Sequence, residues 1–440
     1  MNAPLTLTYS NVSRARTLTS DASIVALHEE LGVIASQRSG GYTKPNDVIR
    51  LPEDPHVLVE AKRVAEAYYS SQLKYVIVIG IGGSNLGTRA VYEGLRGTLD
   101  HLTARAPKII FLDTVSTTLI SDIEEILHNE VSVKEEILIN LISKSGTTTE
   151  SIVNFEMLMG MLAKRISGID ERVVCTTDHG SPLWKLAEKK QYGLLTIPTL
   201  VGGRFSLFSP VGIFPLLIVG IDVVGLQNGA KDMLARSFSA NTDHHIARHA
   251  AEMLFGEMQR GISILNIFHF NPELESLGKW ERQLIAESLG KEVDSSGALV
   301  HAGLTPIVSV GSTDLHSMAQ LYFAGPRDKF TMLIRAEHIS SKRVPADLRL
   351  VGLVSGIVEK SPNDIMSAIH HGVAAAYQKH QLPLLEVSLP AISPFVLGAY
   401  LQWRMLTVIY LARLMHVNPY DQPNVEDYKE GTRKTLLSNA

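Results

Sequence analysis

Nine short apolar runs, at residues 75–79, 108–112, 137–142, 172–175, 194–197, 262–268, 307–310, 331–334 and 384–387, alternate with longer stretches of helical periodicity. A parallel strand cannot reach its neighbour through a tight turn and needs a crossover, so this rhythm predicts βαβ units and parallel sheets. Five runs precede an apolar helical stretch at 209–221 and four follow it. At 440 residues the chain exceeds the size at which a single core stops growing, and two α/β domains are expected. The boundaries read as an N-terminal arm at 1–50, polar and weakly periodic, a first α/β domain at 51–225 and a second at 226–405. The remainder, 406–440, reads as a helix end followed by an irregular polar tail from Asn418, where Pro419 and Pro423 break any helix.

Composition narrows the partners. Hydrophobic residues make up 45% of the chain and charged residues 20%, ordinary for a folded globular protein. The net charge of -4 gives no overall attraction to nucleic acid or an anionic membrane, so an anionic ligand would have to be held by local cations such as Lys144 or Arg204. Two apolar stretches, 211–226 and 395–414, raise the question of a membrane span. Pro215 and Asp222 interrupt the first, Gln402 and Arg404 the second, and both read as buried helices. A lone cysteine, Cys175, excludes an internal disulfide and a cysteine-rich zinc site and suits a reducing compartment. Its place in an apolar run reads as an inert core thiol. The N-terminus lacks the basic start and long apolar core of a signal peptide, so a cytoplasmic location is expected.

The run at 137–142 passes straight into Ser143-Lys144-Ser145-Gly146-Thr147-Thr148-Thr149-Glu150. Hydroxyls, one cation and the free amides of a following helix form a socket for a phosphate. Thr147 and Glu150 also have the spacing of a capping box. That reading leaves the clustering of Ser143, Lys144, Ser145 and Thr148 unexplained, so both readings are kept. A second loop, Gly80-Ile81-Gly82-Gly83-Ser84, also follows an apolar run. Asn85 stands where a dinucleotide fingerprint needs its last glycine, which ranks a nicotinamide oxidoreductase low. Glycines serving a tight turn alone, or a pocket shared with the hydroxyl loop, remain as readings of this segment.

Arg204 follows two glycines in apolar surroundings and needs an anionic partner, either a structural carboxylate or charge developing on a substrate oxygen. Residues 271–290 read as an amphipathic helix stopped by Gly290, with Glu287 in its last turn and Gln283 one turn earlier on the same face. A carboxylate at the negative end of a helix dipole is disfavoured when ionised, which suits a general base, although by residue type alone Glu287 reads equally as a solvated surface glutamate. His245 and His249 share helical spacing with His244 adjacent, but Ile-Ala-Arg between them lacks the glutamate of a zinc protease helix, and a polar face is expected. His370 and His371 have no nearby ligand set in sequence.

Taken together, Gly80–Gly87, the 143–150 loop, Gly202-Gly203-Arg204-Phe205-Ser206-Leu207, Gln283 with Glu287-Ser288-Leu289-Gly290-Lys291, the segment around His316, and Asn418-Pro419-Tyr420-Asp421-Gln422-Pro423 leading to Lys429 resemble the glucose-6-phosphate isomerase (phosphoglucose isomerase) family in its compact bacterial form. The resemblance implies two sugar-isomerase (SIS) type three-layer α/β/α sandwich domains and reversible interconversion of glucose 6-phosphate and fructose 6-phosphate through a cis-enediolate. It implies that Gly83, Ser84, Ser143, Lys144, Ser145 and Thr148 hold the sugar phosphate and that Gln283 and Gln320 line the pocket. Arg204 would stabilise the enediolate, Glu287 would move the proton, and His316 with Lys429 would open the ring. Leu315 stands where the family commonly has glutamine. No metal or cofactor is implied, and the implied assembly is a homodimer with shared active sites. A bifunctional phosphoglucose/phosphomannose isomerase and a non-catalytic sugar-phosphate sensor are the alternatives, the sensor having no use for Glu287, His316 and Lys429 together.

Overall fold

The computed structural model describes residues 3–12, 22–37, 41–337 and 340–438. The chain opens with β1 (Thr6–Ser10), α1 (Ala22–Ser36) and α2 (Pro55–Tyr68). There follow β2 (Tyr75–Ile79), α3 (Leu86–Arg96), β3 (Lys108–Leu112), α4 (Thr117–Glu130), β4 (Ile137–Ile142), α5 (Thr149–Leu162), β5 (Val173–Asp178), α6 (Pro182–Lys190) and β6 (Gly193–Ile197). Helices α7 (Pro210–Ile218), α8 (Val223–Ser237) and α9 (Ile246–Met258) lead to β7 (Ile264–His269), α10 (Glu275–Leu289) and the hairpin β8 (Lys291–Val293) and β9 (Leu299–Ala302). The chain ends with β10 (Thr305–Val310), α11 (Thr313–Ala324), β11 (Lys329–Ala336), α12 (Pro362–Lys379), β12 (Leu384–Leu389), α13 (Pro394–Leu414) and α14 (Glu426–Ser438).

Two five-stranded sheets result, ordered β3-β2-β4-β5-β6 and β10-β7-β11-β12-β1. The first is wholly parallel, and the second is parallel except for β1, which pairs antiparallel with β12. Strands β2 and β4 are buried at every position, the mark of parallel strands covered on both faces. The parallel strands of each sheet start at one that lies inside it, β2 or β7, move to one side, then return to the other. That reversal leaves a crevice beyond the C-terminal ends of β2 and β4, and another beyond β7 and β11.

Three sequence expectations change. The stretch read as a polar arm carries an edge strand and a helix. Thr6 pairs with Ser388, so what stabilises β1 lies at the other end of the chain, and only Leu7 and Tyr9 pack on the core. The tail read as irregular ends in α14, because Pro423 starts a short turn ahead of that helix instead of interrupting it. His245 is buried and not on a polar face: its ring contacts His28 at 4.6 Å and its Nε2 lies 2.9 Å from the Ser239 carbonyl oxygen.

Helix α13 is the one described helix long and apolar enough to cross a membrane, and 94% of its apolar window is buried inside the fold. Side chains at Gly229 or Gly398 would overlap the Phe395 and Leu226 carbonyls, so α8 and α13 touch backbone to backbone. Cys175 is fully buried, and burial pushes its thiol up to about 12.

Candidate functional site

Both loops singled out in sequence lie at the first crevice. Gly80–Ser84 leaves the end of β2 and Ser143–Thr148 the end of the adjacent β4. A Cβ at Gly80 would approach Ser84 Cβ at 2.8 Å and the Ile142 carbonyl at 3.2 Å, so the turn is tight enough to exclude a side chain. In the hydroxyl loop, Ser143 Oγ lies 2.8 Å from Thr148 Oγ1 and accepts from the Gly146 amide at 3.1 Å. Ser145 Oγ lies 3.2 Å from Thr147 Oγ1. The capping box is not the device used here: Thr148, not Thr147, is the residue before α5, and it makes no side-chain cap. Lys144 is half-buried, and desolvation lowers its pKa while nearby Asp178 opposes the shift.

Gly83 connects this crevice to Arg204. A Cβ at Gly83 would overlap the Gly203–Arg204 peptide, so only glycine lets the two backbones stack. Ser206 Oγ reaches the Gly83 carbonyl at 3.3 Å, and Trp280 Nε1 of α10 donates to the Arg204 carbonyl at 3.2 Å. Helix α10, which covers the second sheet, thereby delivers its C-terminal end to the first.

There Arg204, 1% exposed, spreads its donors over five partners. Nε donates to Ser288 Oγ at 2.8 Å, Nη1 to Glu287 Oε2 at 3.0 Å and Gln422 Oε1 at 2.7 Å, and Nη2 to the Pro419 and Asp421 carbonyls. Burial lowers its pKa and Glu287 opposes that shift. The other carboxylate oxygen of Glu287 accepts from Gln283 Nε2 at 3.0 Å, so both oxygens are fixed. Of the two partners kept open for Arg204 in sequence, a carboxylate of its own chain is present, and it is Glu287. Gln283 Oε1 remains without a protein partner.

Sequence reasoning did not single out Ser288, Lys291, Asp421 and Gln422. Lys291 Nζ donates to the Glu287 carbonyl at 2.7 Å, closing the end of α10, and pairs with Asp421 Oδ1 at 3.1 Å. Burial lowers its pKa, with Asp421 opposing and Arg204 adding to the shift. These residues stand inside the quoted motifs, but no periodicity or spacing marks them.

Among the described residues, no hydrogen bond or ion pair links His316, Gln320 or Lys429 to this cluster. His316 and Gln320 are exposed one turn apart on α11, while Leu315 packs on the neighbouring core. Lys429 pairs with Glu426 on its own helix at 2.6 Å.

A family model described as phosphoglucose isomerase matches residues 59–436. The chain belongs to the phosphoglucose isomerase family. A glucose-6-phosphate isomerase of Exiguobacterium sibiricum is 32% identical over 84% of this chain and 82% of its own length. One from Rubrobacter xylanophilus is 31% identical over 88% of each. Among solved structures, a hypothetical protein of Thermus thermophilus superposes with a TM-score of 0.82 at 28% identity over 98% of this chain and all of its own. A glucose-6-phosphate isomerase of Chlamydia trachomatis does so with a TM-score of 0.79 at 21% identity, covering 98% of this chain and 88% of that one. A tagatose-6-phosphate ketose/aldose isomerase of Escherichia coli shares the fold, with a TM-score of 0.53 at 10% identity over 88% of this chain and 96% of its own. The two expected SIS-type sandwiches are therefore those of the sugar-isomerase fold.

Proposed function

We propose that this chain is a glucose-6-phosphate isomerase that interconverts glucose 6-phosphate and fructose 6-phosphate. The observation that carries the reading is a carboxylate fixed at both oxygens, Glu287, beside two loops built to hold a phosphate. In the forward direction Glu287 takes the proton from C2 of the open-chain aldose, the electrons of that bond form the enediolate, and Arg204 stabilises the developing oxyanion. A proton passes from the hydroxyl on C2 to the oxygen on C1, and Glu287 returns its proton to C1. One carboxylate on one face serves both transfers, so this chemistry calls for neither metal nor cofactor. Gly83, Ser84, Ser143, Lys144, Ser145 and Thr148 hold the remote phosphate, whose binding energy positions the reacting carbons. Gln283 lines the pocket and holds Glu287 through its Nε2.

Ring opening falls to His316 and Lys429. His316 is exposed, and the resemblance to the family implies that it serves the site of a second copy in a homodimer. The reaction takes place in the cytoplasm, a reading supported by the single buried cysteine.

Conversion of fructose 6-phosphate by EDTA-treated protein, followed through a coupled dehydrogenase, tests the activity. Glu287→Gln is expected to lower kcat by about 10²–10⁴-fold with substrate binding retained, and near-normal turnover would remove Glu287 from the mechanism. Mixing Glu287→Gln with His316→Ala protein should restore about one quarter of wild-type activity, since half the dimers are mixed and each has one complete site. No restoration would show that the site is completed within one chain.

A further inference from the structure

Helix α10 bears a second carboxylate with no part in the proposed reaction. Glu281 is 0% exposed and is the single charged residue among the buried positions of α10. Its Oε2 accepts from Tyr400 Oη at 2.7 Å, and its Oε1 lies 2.6 Å from Arg404 Nε, an ion-pair contact in which the N–H is not aligned on the oxygen. Tyr400 and Arg404 are both buried on α13, and the Arg404 guanidinium lies 5.0 Å from the centre of the Trp403 ring. α13 is a rigid base, since its backbone abuts α8 at Gly398.

A buried ion pair is a poor source of stability, because desolvating two charges offsets their attraction and apolar replacements of similar volume fold as well. What it supplies is direction. Much of the rest of the buried face of α10 is Leu277, Leu284, Ile285 and Leu289, side chains that resist separation more than rotation, with directional bonds added by Ser276, which donates to Glu93, and by Trp280, which donates to the Arg204 carbonyl at 3.2 Å. Glu281 and Glu287 lie six residues apart, about 9 Å along the axis and about 120° around it. Each directional bond at a further azimuth stiffens a helix against rotation, and the Glu281 clamp is, among the described residues, the one on this helix that is a buried ion pair. We propose that Glu281, Tyr400 and Arg404 are positioning residues that set the rotation of α10 and so hold Glu287 against Arg204.

This rests on the proposed isomerase reading for its kinetic test and on geometry alone for its structural test. The double variant Glu281→Leu/Arg404→Met removes both charges and keeps the volume. It is expected to fold with a melting temperature within a few degrees of wild type, to lose about tenfold to a hundredfold in kcat for fructose 6-phosphate, and to keep KM within about twofold, since small misplacements of a reacting group cost that much. A crystal structure of the variant should show α10 turned and the Glu287–Arg204 contact broken. Should the double variant not fold, Glu281→Gln, which keeps the shape and the Tyr400 partner, should lose kcat by several-fold with the same small change in KM. Wild-type kcat in a folded variant, activity falling only with the unfolded fraction, or an unturned α10 would each overturn the proposal. Wild-type protein inactive on fructose 6-phosphate would overturn the isomerase reading instead, leaving the crystallographic comparison to decide the role of the clamp.

Discussion

Beyond β2 and β4 the chain places glycines, hydroxyls and one half-buried lysine; beyond β7 and β11, at the crevice produced by the same strand order, it places bulk. Asn271 donates to the Ala336 carbonyl at 3.3 Å and accepts from the Ala336 amide at 2.8 Å, stitching the ends of β7 and β11 together. Phe270 fills the space beside it, 2% exposed and 4.9 Å from the buried His370 ring, and a Cβ at Gly311 would already meet the Phe270 ring at 3.0 Å. Topology therefore creates the opportunity for a site twice, and side chains decide which crevice is used. At the second, Phe270 and Asn271 occupy the strand ends, and its half of the molecule contributes instead through the far end of α10.

If this contrast is right, substitutions in the two crevices should separate stability from catalysis. The largest effect is expected for Phe270→Ala, which should destabilise the fold by about 3–5 kcal/mol in urea unfolding while the folded fraction keeps its kcat and KM. A catalytic defect would show that the second crevice is not merely filled. Gly83→Ala comes next. Its methyl must push the Gly203–Arg204 peptide away, and displacement of Arg204 should cost about a hundredfold in kcat/KM. Retention of full activity would break the link drawn between the glycine loop and Arg204.

Lys144→Ala has the smallest expected effect, about a tenfold rise in KM for the sugar phosphate with little change in stability, in line with one exposed-edge charge-assisted contact. Its pH dependence sharpens the point. Burial lowers the lysine pKa, so the ammonium is lost as pH rises through a value below the usual lysine range. Phosphate affinity should weaken over that alkaline interval in the wild type, and the Lys144→Ala variant should lack that limb of the KM profile.

The crevice that carries the proposed site was the more legible of the two. Its strands and loops are marked within a dozen residues, by an apolar run ending in glycines or hydroxyls. Glu287 was singled out by its place at the end of a helix and by motif. The second crevice left no comparable mark, because Phe270 and Asn271 look the same in sequence whether they fill a gap or line one.

What the sequence by itself determined is what local patterning encodes: nine parallel strands at nearly their observed positions, two α/β units, buried helices at 209–221 and 395–414, and loops with the chemistry of a phosphate socket. Tertiary structure decided the rest, because it depends on residues with no common period. Arg204 meets Glu287 across 83 positions and Gln422 across 218, and β1 finds β12 from the opposite end of the chain. Those contacts follow from how the two sheets' covering helices pack, and packing is a property of shape in three dimensions that no window of sequence contains.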